Sequence, residues 1–355
     1  MPITPKNSPV TRPRVLVLHG AVGKDSTPDN QDTLVQVQAV TRSLNRLGFQ
    51  AKAQSLDLDL SPVLKRLNRP RPHLVFNLVE SLGGRDALLG LGPLLLESQG
   101  LAYTGAPASA LVATSDKREA KRLMAAADIP SPPSWQPGEP LPAAGPAWIL
   151  KSAWEHASLG MTDDAVVTDV ARMPDLLAER ARRHGGHWFA EHFIPGREFN
   201  LSMLETQQGP VVLPPAEIRF KGFPPGKPRI VGYAAKWDLD SPEYKGTVRS
   251  FRFTAQDAPL LKTLRRLTER CWEVFGLRGY ARVDFRVDAQ GRPWVLEVNA
   301  NPCLSPDAGF AQAATRAKIH YDALIGMIVR AALEGHSLPA KPRARHTPRP
   351  RLRSH

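Results

Sequence analysis

One segment near the C-terminal end, residues 281–299 with the sequence ARVDFRVDAQGRPWVLEVN, constrains the fold more than any other. Apolar and polar residues alternate on both sides of Gln290 and Gly291, which predicts a β-hairpin with a buried face and a polar face. A two-residue loop at Gln290 and Gly291 fixes which residues lie opposite one another. The buried face is predicted to contain Val283, Phe285, Val287, Trp294, Leu296 and Val298.

The polar face of this hairpin gathers four functional groups. The two-residue loop places Asp284 opposite Glu297 and Arg282 opposite Asn299. Two carboxylates and an amide oxygen, without His or Cys, are ligands typical of a hard cation such as Mg²⁺, which also binds nucleotide phosphates. The alternative is a solvated face of an amphipathic hairpin. The small and polar residues 300–302 favour the first interpretation, because such a loop is typical of a ligand-binding turn.

The order of apolar segments predicts an α/β unit followed by α+β units. The first third alternates strands and helices, with strands at 15–18, 51–56 and 73–77 and helices at 34–47 and 62–68. This alternation predicts a parallel sheet with ligands at the carboxyl ends of its strands. Beyond residue 115 short strands and helices mix, and a closing helix is predicted at 308–333. The predicted domains are an N-terminal α/β domain at 15–115, a central domain at 116–197 and a C-terminal domain at 198–336.

Most of the positive charge lies at the two ends of the chain. The 355 residues have a net charge of +13, but residues 1–14 and 340–355 contain nine of the 47 basic residues and no acid, which leaves +4 on the rest. Both ends are proline-rich and lack apolar periodicity, so we predict disordered basic tails at 1–14 and 337–355. A nucleic-acid-binding module that uses these tails is an alternative from another functional class, but aromatic residues are not interleaved there. We therefore expect no nucleic-acid partner.

The cysteines and the apolar segments argue for a cytoplasmic protein. Cys271 and Cys303 form neither a Cys-x-x-Cys pair nor a disulfide framework, which favours a reducing compartment. The most apolar stretches, 87–96 and 323–329, are far shorter than the ~20 residues that span a bilayer. We therefore expect no membrane association. Without a partnered His, Cys303 is interpreted as a small buried thiol rather than a nucleophile.

Three lysines and one turn add features of a nucleotide site. Lys117 opens a predicted helix, Lys151 ends a predicted strand, and Lys236 lies in an Ala-Ala-Lys-Trp segment. Residues 191–198, EHFIPGRE, place an apolar pair between carboxylates, which suits a purine held by strand-edge backbone and apolar side chains. Solvated surface lysines and a plain β-turn are the alternatives. Neither a Walker P-loop nor a Gly-x-Gly-x-x-Gly sequence is present.

The order of these pieces resembles the D-alanine:D-alanine ligases of the ATP-grasp superfamily from about residue 15 to residue 333. The motifs that carry the resemblance are Asp116-Lys117, Ile149-Leu150-Lys151, residues 191–198, Ala235-Lys236-Trp237, Arg282-Val283-Asp284 and Leu296-Glu297-Val298-Asn299. The resemblance implies an ATP-grasp fold of three domains. In that fold, an N-terminal parallel-sheet domain is followed by two α+β domains that clasp ATP.

The resemblance also implies roles for particular residues. It implies that ATP is bound by Lys117, Lys151, Glu191, Phe193, Ile194, Glu198, Lys236 and Leu296. Among these, the lysines would contact the phosphates, Glu191 and the Phe193–Ile194 backbone the adenine, and Glu198 the ribose. The implied ligands of two Mg²⁺ ions, or of Mn²⁺, are Asp284, Glu297 and Asn299. The implied catalytic residues are Arg282, Lys236 and Ser158, the last in a loop at 152–161 that closes on the triphosphate.

The implied activity is ATP-dependent ligation of a carboxylate to an amine. A carboxylate attacks the γ-phosphate, and an amine then displaces phosphate from the acyl phosphate. Arg282 and backbone N–H groups near Cys303 and Leu304 are expected to stabilise the oxyanion. The substrates would be small amino acids, as in peptidoglycan synthesis, and the resemblance allows a homodimer. The alternative is a relative that joins other amino acids or a peptide in a natural-product or wall-modifying pathway.

The departures from the family pattern fall on the substrate side. The ligases open their first helix with Glu-Val-Ser, whereas residues 29–33 here read DNQDT, so only a displaced acid serves. Glu80 stands where a His is usual, and Trp237 stands where a Tyr is usual. The serine that holds the second substrate's carboxylate is missing after Asn301, unless Ser305 replaces it. We therefore expect this chain to share the ATP chemistry of the family but not the identity of its substrates.

Overall fold

The computed structural model describes residues 12–23, 28–154, 158 and 160–335. The predicted tails at 1–14 and 337–355 lie outside these ranges, apart from residues 12–14. Arg14, predicted as the last residue of a tail, is instead the first residue of a strand and pairs with Gln50. The domain boundaries stay a prediction.

The N-terminal third is a parallel sheet between helices, as predicted. Its elements are β1 (Arg14–Gly20), α1 (Pro28–Arg46), β2 (Gln50–Leu56), α2 (Ser61–Asn68), β3 (Leu74–Leu78), α3 (Leu91–Ser98) and α4 (Ala108–Ser115). The sheet order is β2–β1–β3. Every residue of β3 is buried, because helices cover both faces of the sheet. The carboxyl ends of β1 and β3 therefore lie at the same edge.

The middle of the chain forms an antiparallel sheet of four short strands in the order β4–β7–β5–β6. Its elements are α5 (Lys117–Ala126), β4 (Ser134–Trp135), β5 (Trp148–Ser152), β6 (Val166–Val167), α6 (Met173–His184) and β7 (Trp188–His192). Trp148 and Leu150 of β5 pack in a core with residues of α6. Since side chains alternate along a strand, Ile149 and Lys151 point to the other face, where both line a cavity.

The last third is built on a six-stranded sheet in the order β11–β10–β8–β12–β13, with β9 beside β8. Its strands are β8 (Arg197–Thr206), β9 (Gly209–Val212), β10 (Ala216–Phe220), β11 (Thr247–Ser250), β12 (Tyr280–Val287) and β13 (Pro293–Asn299). Its helices are α7 (Tyr233–Trp237), α8 (Pro242–Gly246), α9 (Ala258–Val274), α10 (Gly309–Arg316) and α11 (Tyr321–Gly335). The apolar faces of β8, β12 and α9 share one core, which leaves the opposite face of the sheet for polar side chains.

Strands β12 and β13 form the predicted hairpin, and the pairing of its polar residues is confirmed. Asp284 lies opposite Glu297, and Arg282 lies opposite Asn299. The turn is wider than the predicted two-residue loop. The Asp288 carboxylate accepts hydrogen bonds from the backbone N–H groups of the residues two and four positions later, which organises a longer turn.

A β-bulge makes the predicted buried face of β13 partly wrong. The register shifts between Asp284 and Phe285, so that Phe285 pairs with Val295. Val295 is fully buried, whereas Trp294 and Leu296 are half-buried. The extra residue at the bulge re-aims the side chain of Leu296 toward the polar face, where it lines the cavity. Strict alternation cannot anticipate this shift.

The predicted closing helix at 308–333 is two helices. Lys318, between α10 and α11, has a φ of +64°, a left-handed conformation that ends a helix. α11 then returns along α1, where the Asp322 carboxylate accepts hydrogen bonds from Ser43 and Arg46. This contact joins the first helix of the chain to the last. None of the helices in the described ranges has the length and apolar character needed to cross a membrane.

Candidate active site

A cavity of about 750 Å³ lies where the carboxyl ends of β1 and β3 face the polar side of the hairpin. Gly20 at the end of β1 and Glu80 just after β3 form part of its wall. The residues predicted from the sequence all line it: Lys117, Lys151, Ser158, Glu191, Phe193, Ile194, Glu198, Lys236, Arg282, Asp284, Leu296, Glu297 and Asn299. Residues from distant parts of the sequence thus share one space, which a set of independent surface residues would not do.

A buried carboxylate lies between two lysines on one wall. Glu191 is 1% exposed, and its Oε1 and Oε2 lie 2.5 Å from Nζ of Lys151 and 2.8 Å from Nζ of Lys121. Burial alone would raise the pKa of Glu191, but the two ammonium groups outweigh it and hold that pKa below its ordinary value. Lys121 is absent from the sequence predictions. Its spacing of four residues from Lys117 was a usable signal, because such residues share one face of α5.

The segment between β7 and β8, which the sequence predicts to be a purine-binding linker, lines the same cavity. The backbone N–H of Phe193 donates to the carbonyl of Ala147 at 2.8 Å, so this N–H is not available to a base. Gly196 has a φ of +142°, and a Cβ there would lie 2.1 Å from the Val287 carbonyl oxygen. Only glycine therefore allows the linker to approach the hairpin this closely.

Glu198, at the start of β8, is buried against an arginine that the sequence predictions omit. Its Oε2 lies 2.9 Å from Nη2 of Arg286 on β12. Burial raises the pKa of Glu198, and Arg286 only partly opposes this. Arg286 is two residues after Asp284 on the same face of β12, so the alternation in the hairpin was a usable signal for including it in the site.

The centre of the cavity is an arginine–aspartate pair. Nε and Nη2 of Arg282 lie 2.7 Å and 2.8 Å from the two oxygens of Asp284. Nδ2 of Asn200 on β8 donates to the same carboxylate at 2.7 Å. Burial alone would lower the pKa of Arg282, but Asp284 and then Glu297 outweigh it and raise that pKa. The guanidinium therefore remains charged at the position where an oxyanion is expected to develop.

The donor set beside this pair fits a hard cation. Asp284 and Glu297 offer carboxylate oxygens, and Oδ1 of Asn299, which accepts from the Asn301 N–H at 2.9 Å, offers an amide oxygen. Within the described ranges no group of three or more His, Cys, Asp or Glu side chains is spaced to hold a metal ion. A metal at the hairpin would therefore complete its shell with phosphate oxygens and water, as Mg²⁺ commonly does.

Lys236 on α7 also lines the cavity. Burial lowers its pKa, and the charge of Glu297 opposes this shift. Ser158 also lines the cavity, with a φ of +66° and its hydroxyl donating to the Val231 carbonyl at 3.0 Å. The rest of the predicted closing loop lies partly outside the described residues, since 155–157 and 159 are not among them.

Another wall of the cavity is acidic. Asp32 on α1 accepts hydrogen bonds from the Cys303 thiol and from the Ser305 hydroxyl, both at 3.2 Å. One turn later, Nε2 of Gln36 donates to Glu80 at 3.0 Å. Burial, followed by the charges of Glu80 and Asp32, raises the pKa of Cys303, so its thiol stays protonated. Asp32 lies in the segment 29–33 where the sequence offers only a displaced acid, and Glu80 adds a second carboxylate to this wall.

Two predictions for the loop after the hairpin need correction. The Leu304 N–H donates to Oε1 of Gln36 at 2.5 Å, so it is not free to bind an oxyanion. The Ser305 hydroxyl is bonded to Asp32, whose negative charge repels a substrate carboxylate. Both corrections come from α1, a helix at the other end of the sequence, and no local pattern around Cys303 reveals these partners.

The fold and the cavity define an ATP-dependent ligase of the ATP-grasp class. The family model described as D-ala D-ala ligase C-terminus matches residues 144–330, which is more than half of the chain. The D-alanine–D-alanine ligase of Methylococcus capsulatus is 29% identical over 323 residues, covering 89% of this chain and 94% of its own. That of Gloeobacter violaceus is also 29% identical, covering 90% of this chain and 100% of its own.

Solved structures agree in fold. The Bacillus anthracis D-alanine–D-alanine ligase complexed with ATP has a TM-score of 0.71 at 20% identity, covering 91% of this chain and 98% of its own. The Coxiella burnetii enzyme has a TM-score of 0.67 at 15% identity, covering 92% and 95%. The chain belongs to the D-alanine–D-alanine ligase family. Its enzymes use ATP and a divalent metal ion to join small-molecule substrates.

Proposed function

We propose that this ligase joins two amino acids through an acyl phosphate, and that D-alanine is the first substrate to test because the relatives' names contain it. The observation that carries the proposal is the shared cavity. Lysines, the Arg282–Asp284 pair and the acids Asp32 and Glu80 all border one space. A triphosphate needs cations, whereas the ammonium of an amino acid needs carboxylates, and this cavity supplies both.

The proposed chemistry assigns each step to side chains of this chain. The linker binds the base, and Lys117, Lys151 and Lys236 attract the phosphates. A substrate carboxylate whose ammonium faces Asp32 and Glu80 attacks the γ-phosphorus in line, which gives an acyl phosphate and ADP. The amine of the second substrate then attacks the acyl carbon. The Arg282 guanidinium stabilises the tetrahedral oxyanion before phosphate leaves.

We propose Mg²⁺ as the metal, with Asp284, Glu297 and Asn299 as its protein ligands and two ions per site. When bound, the metal neutralises charge on the phosphates. The all-oxygen donor set supports Mg²⁺ over softer ions, and Mn²⁺ is the substitute with the nearest preferences. The contact between Arg282 and Asp284 gives the carboxylate a counter-charge in the absence of metal.

The experiment that tests the proposal is D-alanine-dependent ADP release by the purified protein with ATP and Mg²⁺, with the dipeptide identified by mass spectrometry. We expect ADP and dipeptide in equal amounts. A protein that releases no ADP with D-alanine or any other amino acid would contradict the ligase assignment.

A second candidate is a ligase that joins other amino acids or a peptide. The acidic wall favours it, because Asp32 and Glu80 together provide two carboxylates where one ammonium needs only one. A panel of D- and L-amino acids in the same assay separates the candidates. A strong preference for D-alanine eliminates the second, and a preference for a cationic amino acid supports it.

The assembly, the location and the pathway of this protein rest on the family resemblance alone and stay proposals. We propose a homodimer in the cytoplasm that acts in peptidoglycan synthesis. Light scattering of the purified protein tests the dimer, and a mass near the 39.0 kDa of one chain would contradict it. Cell fractionation tests the location.

A further inference from the structure

Arg249 on β11 is an arginine in the cavity wall that forms no ion pair with a carboxylate within the described ranges. Its Nη1 donates to Oε1 of Gln312 on α10 at 3.1 Å, a neutral acceptor. Its Nε is buried and has no hydrogen-bond partner among the described residues. In this half-buried guanidinium the buried Nε–H without an acceptor is costly, because arginine stays protonated and its five N–H groups need acceptors. Such a group is well suited to bind an anion that enters the cavity.

The surroundings of Arg249 add to its capacity for an anion. Its guanidinium lies against Gly309, where a Cβ would be 3.1 Å from Nη2 and 3.3 Å from Nε. Gly309 is the first residue of α10, and the preceding Ala308 provides no side-chain cap. The helix therefore presents its partial positive charge beside the arginine. Asp307, on the loop before α10, is exposed and forms no ion pair with Arg249 among the described residues, although its charge raises the pKa of Arg249.

Electrostatic coupling relates Arg249 to the reaction centre. Burial lowers the pKa of Arg249 and the charge of Arg282 lowers it further, whereas the charges of Asp307 and Asp284 raise it, so Arg249 and the Arg282–Asp284 pair act on each other within one cavity. The carboxylate of Asp284 is already held by Arg282 and Asn200. Arg249 is therefore a cation near the reaction centre whose side-chain hydrogen bond within the described ranges goes to a neutral amide and not to a carboxylate.

We propose that Arg249 binds the carboxylate of the amine-donating substrate and so selects free amino acids as the second substrate. This inference rests on the proposed ligase function. The amine must reach an acyl carbon next to Arg282, so its own carboxylate lies within one amino-acid length of that point. Ser305 is unsuited to this carboxylate, since its hydroxyl is committed to Asp32. Arg249, together with Gln312 and the N-terminus of α10, provides the positive charge that this carboxylate needs.

The test is a competition between D-alanine and D-alaninamide as acceptors, with D-alanine as donor and the dipeptide and dipeptide amide measured together by mass spectrometry. We expect the wild-type enzyme to favour the acid over the amide by about 10- to 100-fold, the range expected for one charged hydrogen-bonded contact. In Arg249→Met the preference falls toward one, with the KM for ATP within about twofold of wild type.

Two further variants keep the test independent of folding defects. Gln312→Glu is nearly isosteric and places a carboxylate against Arg249, so it also reduces the preference for the acid. Arg252→Met is the matched control, because Arg252 is an exposed arginine three residues later. An unchanged acid preference in Arg249→Met and Gln312→Glu would overturn the inference, as would a rise in the KM for ATP alone.

Failure of the proposed function is distinguishable from failure of the inference. If the wild-type enzyme releases no ADP with D-alanine, the competition is run with the amino acid that the panel identifies and with its amide. A wild-type enzyme that accepts the amide as well as the acid overturns the role of Arg249, although it remains a ligase.

Discussion

The guanidinium of Arg282 binds both carboxylate oxygens of Asp284, with N···O distances of 2.7 Å and 2.8 Å. The two residues lie two positions apart on the same face of β12. The carboxylate that we propose as a metal ligand and the guanidinium that we propose as the oxyanion stabiliser are thus fixed to each other before substrates arrive. Such a two-point pair restricts both side chains to one geometry. Catalysis of this type depends on charges that are already in place when the transition state forms.

The first prediction concerns the hairpin carboxylates. Asp284→Asn and Glu297→Gln should each reduce amino-acid-dependent ADP release at least about 100-fold, because each removes the charge of a proposed metal ligand. Asp288→Asn is the control on the same hairpin. The Asp288 carboxylate accepts hydrogen bonds from backbone N–H groups of the turn, so this variant should be less stable than wild type but should keep its turnover number. Full activity in the first two variants would refute the metal assignment.

The second prediction concerns Glu191, which is enclosed by Lys121 and Lys151. Glu191→Gln should lower the free energy of unfolding by about 3–5 kcal/mol, because it leaves two largely buried ammonium groups without a counter-charge. Glu119→Gln, which breaks an exposed pair with Arg122, should change it by about 0.5 kcal/mol or less. Urea denaturation of the three proteins provides the comparison, and equal effects of the two substitutions would count against the buried cluster.

The third prediction is a pH dependence of stability at the contact between α1 and α11. Hydrogen bonds from Arg46 and then Ser43 lower the pKa of Asp322 to about 2. A lowered pKa means that the carboxylate stabilises the fold above its unfolded pKa of about 3.9 and loses this effect as the pH falls through about 2. Asp322→Asn should therefore be less stable than wild type at pH 7, by about 1 kcal/mol or less because the pair is largely exposed.

The measurement for Asp322 is the difference in unfolding free energy between wild type and variant across the pH range. The difference should be constant above about pH 4 and shrink toward zero near pH 2. A difference that stays constant down to pH 2 would show that the contact does not depend on the charge of Asp322.

The fourth prediction concerns Lys236. Because burial lowers its pKa, the free enzyme should lose this positive charge at a lower pH than an ordinary lysine allows. The kcat/KM for ATP should then fall as the pH rises through that lowered pKa. In Lys236→Arg the side chain stays charged, so the fall should be absent or displaced to higher pH. Identical alkaline limbs in the two profiles would exclude Lys236 as their source.

Local patterns in the sequence predict most of the fold and the central part of the site. The alternation in residues 281–299 gives the hairpin and the facing pairs of Asp284 with Glu297 and Arg282 with Asn299. These predictions succeed because a strand's period of two fixes which side chains share a face. The apolar runs of β1 and β3 likewise identify a parallel sheet, since strands covered on both faces read as continuous apolar segments.

The parts that sequence reasoning does not reach depend on partners from distant segments. The bulge that re-aims Leu296 depends on the pairing of Phe285 with Val295 across the hairpin. The Leu304 N–H is occupied by Gln36, a residue of the first helix. Arg249 looks like any arginine of a short strand until α10 covers it. In each case the deciding contact joins residues whose proximity exists only after the chain has folded.

The most direct test of the central claim follows the oxygen of the substrate carboxylate. The enzyme is incubated with ATP, Mg²⁺ and a carboxylate-¹⁸O-labelled amino acid that supports ADP release, and the phosphate is analysed by mass spectrometry. An acyl-phosphate route transfers one ¹⁸O from the carboxylate to phosphate for each peptide bond formed. Phosphate without the label, in the presence of peptide product, would contradict the mechanism.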